Sequence, residues 1–377
     1  MRSIPLADVR VAHALGITTG ARGTVFHRFP AWAVQQARNP SFGVVASMPS
    51  GVRLELRTTS RRIELAVALT FVETDGELIA PAVFDLVADG AVVSSQRSTT
   101  GHRIVIDSAT GATDLVLGEP TTIVFDDVPT AEEVAVWLPA GVVVELHDLR
   151  VDDDAVAGPP LPLSRRRWVH HGSSISHCLE ADQPTGTWPA VAARLADVDL
   201  HSLAVAGQCQ IDQFAARVIR DAPADLISLK LGINVVNGDT MRERAFVPAV
   251  HGFLDTVRDG HPDTPLVVAT PIFCPSVEDR PGPTVPTAGT YTSPERSEVL
   301  ATGALSLTRI RRLLTAIVDE RRAAGDAHLH LVDGLQLFGP DDIDDLPDHL
   351  HPNAAGYRRL GERFHRLVFT GDGPFAG

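Results

Sequence analysis

The sequence predicts an all-β domain, a sandwich of the jelly-roll kind, followed by an α/β domain whose parallel sheet lies between helices. Three observations carry this. Strand-like segments fill residues 1–151, an acidic, then Pro-rich, then basic stretch spans 152–166, and from 167 to 377 strand and helix patterns alternate. Short strands separated by turn residues suit a sandwich. The middle composition suits a linker. Strand alternating with helix implies a parallel sheet covered on both faces.

In the first domain the strand segments are "GVRLELRTT", "RIELAVALTFV", "PAVFDLVADGAVV", "HRIVIDS", "TTIVFDDV", "EEVAVWLP" and "GVVVELHDLRV". They are β-branched, often alternate apolar with polar, and are separated by turn residues such as "TDG", "ADG" and "PAG". No helical period of useful length interrupts the series. In the second domain, strand candidates at "RWVHHG", "LHSLAVAG", "DLISLKLGIN", "PLVVATPIF" and "HLHLVDG" alternate with five helical stretches. These are "TWPAVAARLADV", "QIDQFAARVIRDA", "AFVPAVHGFLDTVRDG", "SLTRIRRLLTAIVDERRAAG" and "AAGYRRLGERFHRLVF". In such a fold the loops after the strands' carboxyl ends open on one side, and ligands bind there.

Composition narrows the function. With 44% hydrophobic and 21% charged residues the chain of 377 is an ordinary globular sequence. A formal net charge of −14 argues against nucleic acid or an anionic membrane as partner, since both require basic surface. Lys230 is the one lysine; arginine carries the remaining positive charge. The opening "MRSIPLADVRVAHALG" has no apolar run of signal-peptide length, and no segment is long enough to span a bilayer. Three cysteines, Cys178, Cys209 and Cys274, make no disulfide framework. A cytoplasmic protein with reduced thiols is the expectation.

The informative stretches sit at strand ends. "WVHHGSSISHC", 168–178, runs from an apolar lead-in through Gly172 into Ser173, Ser174 and Ser176. Serine is a poor strand former, so a solvated turn is the plain reading. The sharper one is a hydroxyl set where strand gives way to helix. "AVAGQ" ends a second strand with Gly207, "LGIN" a third with Asn234, and "DHLHPNAAGY" sets Asp348 and His351 three residues apart just before a helix.

This set resembles the SGNH hydrolases, the GDSL-type serine esterases and acyl-transfer enzymes, whose four blocks named for Ser, Gly, Asn and His occur here in the family's order. The resemblance covers roughly the last 200 residues, a domain's length. It implies a flavodoxin-like, three-layer α/β/α catalytic domain, with Ser174 as nucleophile, His351 as base and Asp348 holding the imidazole. The oxyanion donors it implies are the backbone N–H groups of Ser174 and Gly207 and the side-chain amide of Asn234. Ser173 stands where the family name has Asp, as in a large "GSSI" branch of the family. Val235 replaces the Asp of "GxND", which implies a changed hydrogen-bond network beside an intact oxyanion hole. In the first domain "VFDLVADG" is similar to the "GxDLY"-like signature of the sandwich domain in the same branch, without its Gly and Tyr.

Other readings of these residues are blander. Ser173 and Ser176 suit a turn and a helix cap. His170, His171, His177, Cys178, His201 and Cys209 show no structural zinc spacing, and the resemblance implies no metal and no cofactor. His171 is expected beneath the nucleophile turn with its imidazole hydrogen-bonded, and Cys178 as a small apolar filler. Trp188 reads as core, with a wall of the acyl pocket as the other option. Residues 273–296 read as a long structureless run covering the substrate. The expected partner is a small-molecule ester or acyl-thioester, with an alcohol as acceptor in the case of transfer. Intracellular esterase on an acetylated sugar or other ester, and acyltransferase in natural-product tailoring, stand as nearly equal outcomes. A non-catalytic glycan- or ligand-binding protein with a degenerate SGNH domain is the alternative, against which the intact Ser174, His351, Asp348 and Asn234 speak.

Overall fold

The structure, a computed structural model, describes every residue except 108–109, 132 and 162–164. Part of the expected linker and single positions of the "HRIVIDS" and "EEVAVWLP" segments therefore lie outside the described residues. The chain forms two compact units. One gathers Met1–Ser164 with Cys178–Ala190, and the other Arg165–His177 with Val191–Gly377.

Among the described residues the first unit holds two β-sheets. One orders the strands Thr113–Val116, His102–Ile106, Ile63–Thr74, Val143–Val151, Thr24–His27 and Gly16–Thr19 side by side. The other orders Ala157–Gly158, Arg53–Thr58, Val134–Trp137, Ala82–Ala88 and Ala91–Ser98. Pairing is antiparallel, apart from His102–Ile106 against Ile63–Thr74. The period-2 reading is realised in Ile63–Thr74. Ile63, Leu65, Val67, Leu69 and Phe71 all face one core, where they meet Leu54, Leu56, Phe84, Leu86, Val134 and Val136 of the other sheet. Asp75-Gly76 and Asp89-Gly90, all with positive φ, make the tight hairpin turns that "TDG" and "ADG" announced.

Two short helices, Ala31–Ala37 and Pro40–Ala46, depart from the all-strand expectation. Each has two turns, too few to write an amphipathic period into the sequence. The second starts where Pro40 follows Asn39, whose side chain accepts from Ser41 N at 2.9 Å.

The second unit has a five-stranded parallel sheet in the order Asp199–Ser202, Arg167–Gly172, Leu226–Lys230, Leu266–Ala269, Leu329–Val332. Numbered along the chain this is 2-1-3-4-5, the flavodoxin-like order, which reverses beside Arg167–Gly172. The helices expected from sequence are Trp188–Leu195 (whose first residues belong to the first unit), Gln213–Asp221, Glu243–Gly260, Leu307–Ala323 and Ala354–Phe364. Side chains of successive strand residues point to opposite faces. Trp168 stacks on Phe364 at 5.3 Å, and His171, three residues on and so on the other face, stacks on Phe253 at 6.0 Å. Helices therefore cover both faces, which is why every residue of Leu226–Lys230 and Leu266–Ala269 is buried. Among the described residues no helix is long and apolar enough to cross a membrane.

Candidate active site

Arg167–Gly172 stops abruptly, and Gly172 is the reason it can. A Cβ there would fall on Ser176 Oγ and stand 2.9 Å from Ser176 Cβ. The glycine lets the chain fold back at once, with the Ser173 carbonyl accepting from Ser176 N (3.0 Å) and His177 N (2.9 Å) to open the helix Ser174–His177. Ser173 thus opens the turn through its carbonyl rather than its hydroxyl. Ser173 and Ser176 are wholly buried, whereas Ser174 keeps 8% of its surface exposed. Of the three hydroxyls, only that of Ser174 can meet a substrate.

The D-x-x-H segment is held from behind by Asn353, the N-cap of Ala354–Phe364. Its side chain accepts from Gly356 N at 2.9 Å and donates to Asp345 Oδ1 at 3.1 Å. Asp348 Oδ1 accepts from the backbone N–H groups of Leu350 (2.8 Å) and His351 (2.6 Å), and Oδ2 lies 2.7 Å from His351 Nδ1. With Nδ1 donating to the carboxylate, Nε2 is the accepting nitrogen, 3.0 Å from Ser174 Oγ. Burial pushes the Asp348 carboxyl up, but the His351 side chain and the two N–H groups outweigh it and hold it below its ordinary value.

Gly207 has φ +70°, a conformation that favours glycine, and a Cβ there would meet nothing within 4 Å. Gly232, at φ +116°, opens the helix Ile233–Asn237; a Cβ would stand 2.6 Å from Ile310 Cγ2. Asn234 on that helix is 4% exposed and accepts from Cys209 N at 3.0 Å through Oδ1. The other end of the amide is its NH₂, a pair of donors. Val235, in the place of the family's Asp, is buried.

The remaining singled-out residues have structural surroundings. His171 bonds the Leu203 carbonyl through Nδ1 at 2.8 Å and lies 3.5 Å from Cys209 Sγ through Nε2. His170 Nδ1 meets Ser228 Oγ at 2.7 Å, and burial, with His171 and Lys230 nearby, pushes its imidazole well below the usual value. His177 Nδ1 accepts from Ala206 N at 3.3 Å. Burial raises the Cys209 and Cys274 thiols to about 12, so neither is a thiolate at neutral pH. Cys178 and Trp188 are fully buried, and Trp188 is core rather than an exposed wall. Among the described residues no three His, Cys, Asp or Glu side chains gather as metal ligands.

The 273–296 run is not structureless. Val285–Thr287 and Thr290–Thr292 pair as a two-stranded antiparallel hairpin around Ala288-Gly289, both at positive φ. The hairpin sets the Tyr291 ring against His351, with centroids 5.9 Å apart and the planes at 81°. Sequence reasoning misses Tyr291 because it lies sixty residues from its partner in a run with no period. Its only trace is the two-residue turn "AG" between threonines.

No curated protein matches the sequence. Among solved structures, the chain is similar to the salicylyl-acyltransferase SsfX3 from a tetracycline biosynthetic pathway. The identity is 25%, over 95% of this chain and 93% of that one, with a TM-score of 0.78. It also shares its fold with two family two carbohydrate esterases. One, from Clostridium thermocellum in complex with cellohexaose, is 14% identical over 84% of this chain and 91% of that one, TM-score 0.55. The other, from Cellvibrio japonicus, is 13% identical over 95% and 93%, TM-score 0.53. The sequence model of the GDSL-like lipase/acylhydrolase family matches residues 171–359, half of the chain and all four blocks. The chain belongs to that family, as an SGNH serine esterase or acyltransferase.

Proposed function

We propose that the protein is a serine acyltransferase that carries an acyl group from an ester or thioester, through acyl-Ser174, to an alcohol. The observation that carries this reading is the pair of hydrogen bonds running from Asp348 through His351 to Ser174. A serine hydroxyl is a weak nucleophile until a neighbouring base takes its proton. Ser174 Oγ bonds to the acyl carbonyl carbon while its proton passes to His351 Nε2, and Asp348 stabilises the imidazolium. The carbonyl electron pair moves onto oxygen, for which the Ser174 and Gly207 N–H groups and the Asn234 amide are the proposed donors. When that pair returns, the bond to the donor's oxygen or sulfur breaks and His351 delivers the proton to the leaving group. The acceptor alcohol then runs the same steps in reverse, giving the new ester and restoring Ser174.

Transfer is preferred to hydrolysis because the likeness to an acyltransferase reaches 25% identity with a TM-score of 0.78, whereas that to the carbohydrate esterases, at 13–14% identity, bears on the fold alone. A small-molecule tailoring role follows, with an aryl thioester as one donor to try. The test combines a fluorophosphonate label, mapped by mass spectrometry, with donor panels assayed with and without alcohols. Label on Ser174, its loss with all turnover in Ser174→Ala, and transacylated product are expected. Label on Ser176 would sink the assignment of the turn. Equal hydrolysis with and without every acceptor, and no transacylated product, would leave an esterase.

A further inference from the structure

The segment from Phe273 to Arg296 lies between the two stretches that carry the D-x-x-H pair and Asn234, and it is fastened to both. On the first side Tyr291 N donates to the Asp348 carbonyl at 3.0 Å, and Cys274 Sγ donates to the His349 carbonyl at 3.1 Å. On the second side Thr284 N donates to the Asn237 carbonyl, at the end of the Asn234 helix, at 3.0 Å, and Arg296 pairs with Asp239 at 2.8 Å. The base is clamped by Arg311, which donates to the Pro271 (2.9 Å) and Ile272 (3.0 Å) carbonyls and pairs with Glu278. A segment held at so many points is a strap tying those two stretches together rather than a freely swinging cover.

The strap brings one aromatic ring to the base. Tyr291 is fixed through its backbone on both sides, its N–H on Asp348 and its carbonyl taking the Ser276 hydroxyl, so the ring has little freedom to leave. It stands nearly perpendicular to the His351 imidazole, the edge-to-face geometry that aromatic pairs prefer. The imidazole must keep Nδ1 on Asp348 and Nε2 on Ser174, yet rotation about its χ2 would break both bonds.

We propose that Tyr291 is a positioning residue for His351: its ring, carried on the strap, confines the imidazole to the orientation in which Nε2 faces Ser174. This rests on the acyl-serine reading above. The test compares the unaltered chain with Tyr291→Phe, Tyr291→Leu and Tyr291→Ala, each checked for an intact melting transition. One readout is kcat and KM on an aryl acetate. The other is the downfield proton resonance of the His351 Nδ1–H bonded to Asp348 in the resting protein. Phe keeps the ring and is expected to match the unaltered chain. Leu and Ala are expected to lower kcat about three- to tenfold, the range an aromatic edge contact supports, with KM unchanged and the proton resonance broadened. Leu equal to Phe, a loss confined to KM, or an unchanged resonance in Ala would overturn the proposal. The resonance does not depend on turnover, so it judges the positioning separately. A sharp resonance lost in Ala, with neither labelling nor turnover in the unaltered chain, would instead overturn the acyl-serine reading.

Discussion

Asn234 has one end of its amide committed before any substrate arrives. Cys209 N–H occupies Oδ1, so the amide cannot flip without leaving a buried donor unpaired, and the NH₂ end keeps its direction. A donor fixed in this way stabilises charge where it develops and costs no reorganisation when the oxyanion forms. Asn234→Ala is therefore expected to lower kcat by about 10²–10³ with KM little changed, because the contact tightens mainly in the transition state. Steady-state kinetics decide it; a pure KM effect would assign Asn234 to substrate binding. The residues legible from sequence share a property. Ser174, Asn234 and the Asp348–His351 pair each sit in a short string at or just before a helix start, so local context announces them. Gly207, read as ending a strand, lies instead in a turn five residues beyond Asp199–Ser202. Cys209 as the partner of Asn234, and Tyr291 as the neighbour of His351, depend on distant segments meeting, and no local pattern writes that down.

At the scale of elements, the D-x-x-H segment is as accurate as the helix behind it. Asp342 fixes that helix by accepting from Arg363 (2.6 and 3.1 Å), Arg359 (3.1 Å) and Gly339 N (2.9 Å), and its side chain is 7% exposed. Burial pushes its carboxyl up, but Arg363 first, then Gly339 N and Arg359, hold it below the ordinary value. A carboxyl with a depressed folded value contributes stability that is fully present above its unfolded value and fades as pH falls through the folded one. Asp342→Ala should thus cost about 1.5–3 kcal/mol at neutral pH, the scale of hydrogen bonds to a charged group, since its arginine partners stay partly exposed. The difference from the unaltered chain should shrink below about pH 4. Urea unfolding at both pH values measures this, and equal losses at the two would show that packing rather than charge holds the helix. The longer helices around the parallel sheet were legible because they repeat an apolar face, and the five strands of that sheet because they read as short apolar runs between those helices rather than by alternation. The two-turn helices of the first unit and the hairpin inside 273–296 are shorter than one period needs, and only their caps and turn residues marked them.

For the whole molecule, the path of the chain matters more than the order of its halves. Four residues after Ser174 the chain joins the first compact unit and stays with it from Cys178 to Ala190. The fixed point of this excursion is Asp85, fully buried in the "VFDLVADG" strand, whose Oδ2 accepts from Thr185 N (3.1 Å) and Thr185 Oγ1 (2.6 Å) while Oδ1 accepts from Ser95 Oγ (2.6 Å). The "DL" pair of the signature thereby acquires a physical role, since its carboxyl receives a segment that sequence patterning assigns to the other domain. Leu179 adds to the grip, lying so close to Gly141 that a Cβ there would stand 2.9 Å from Leu179 Cδ2. A fragment starting at the linker proposed at 152–166 would leave Pro184, Thr185, Gly186 and Trp188, all buried in the full chain, without the strands that bury them. Residues 165–377 alone are therefore expected to lose cooperative melting and turnover together, although every residue of the proposed triad is present. In the intact chain Thr185→Val removes one of three donors to a buried carboxyl and should cost about 1–3 kcal/mol, while the backbone donor keeps the segment in register. Calorimetry and ester turnover on both proteins test the idea. A fragment that melts cooperatively and turns over substrate as the full chain does would show that the excursion is dispensable and the signature's carboxyl is local packing.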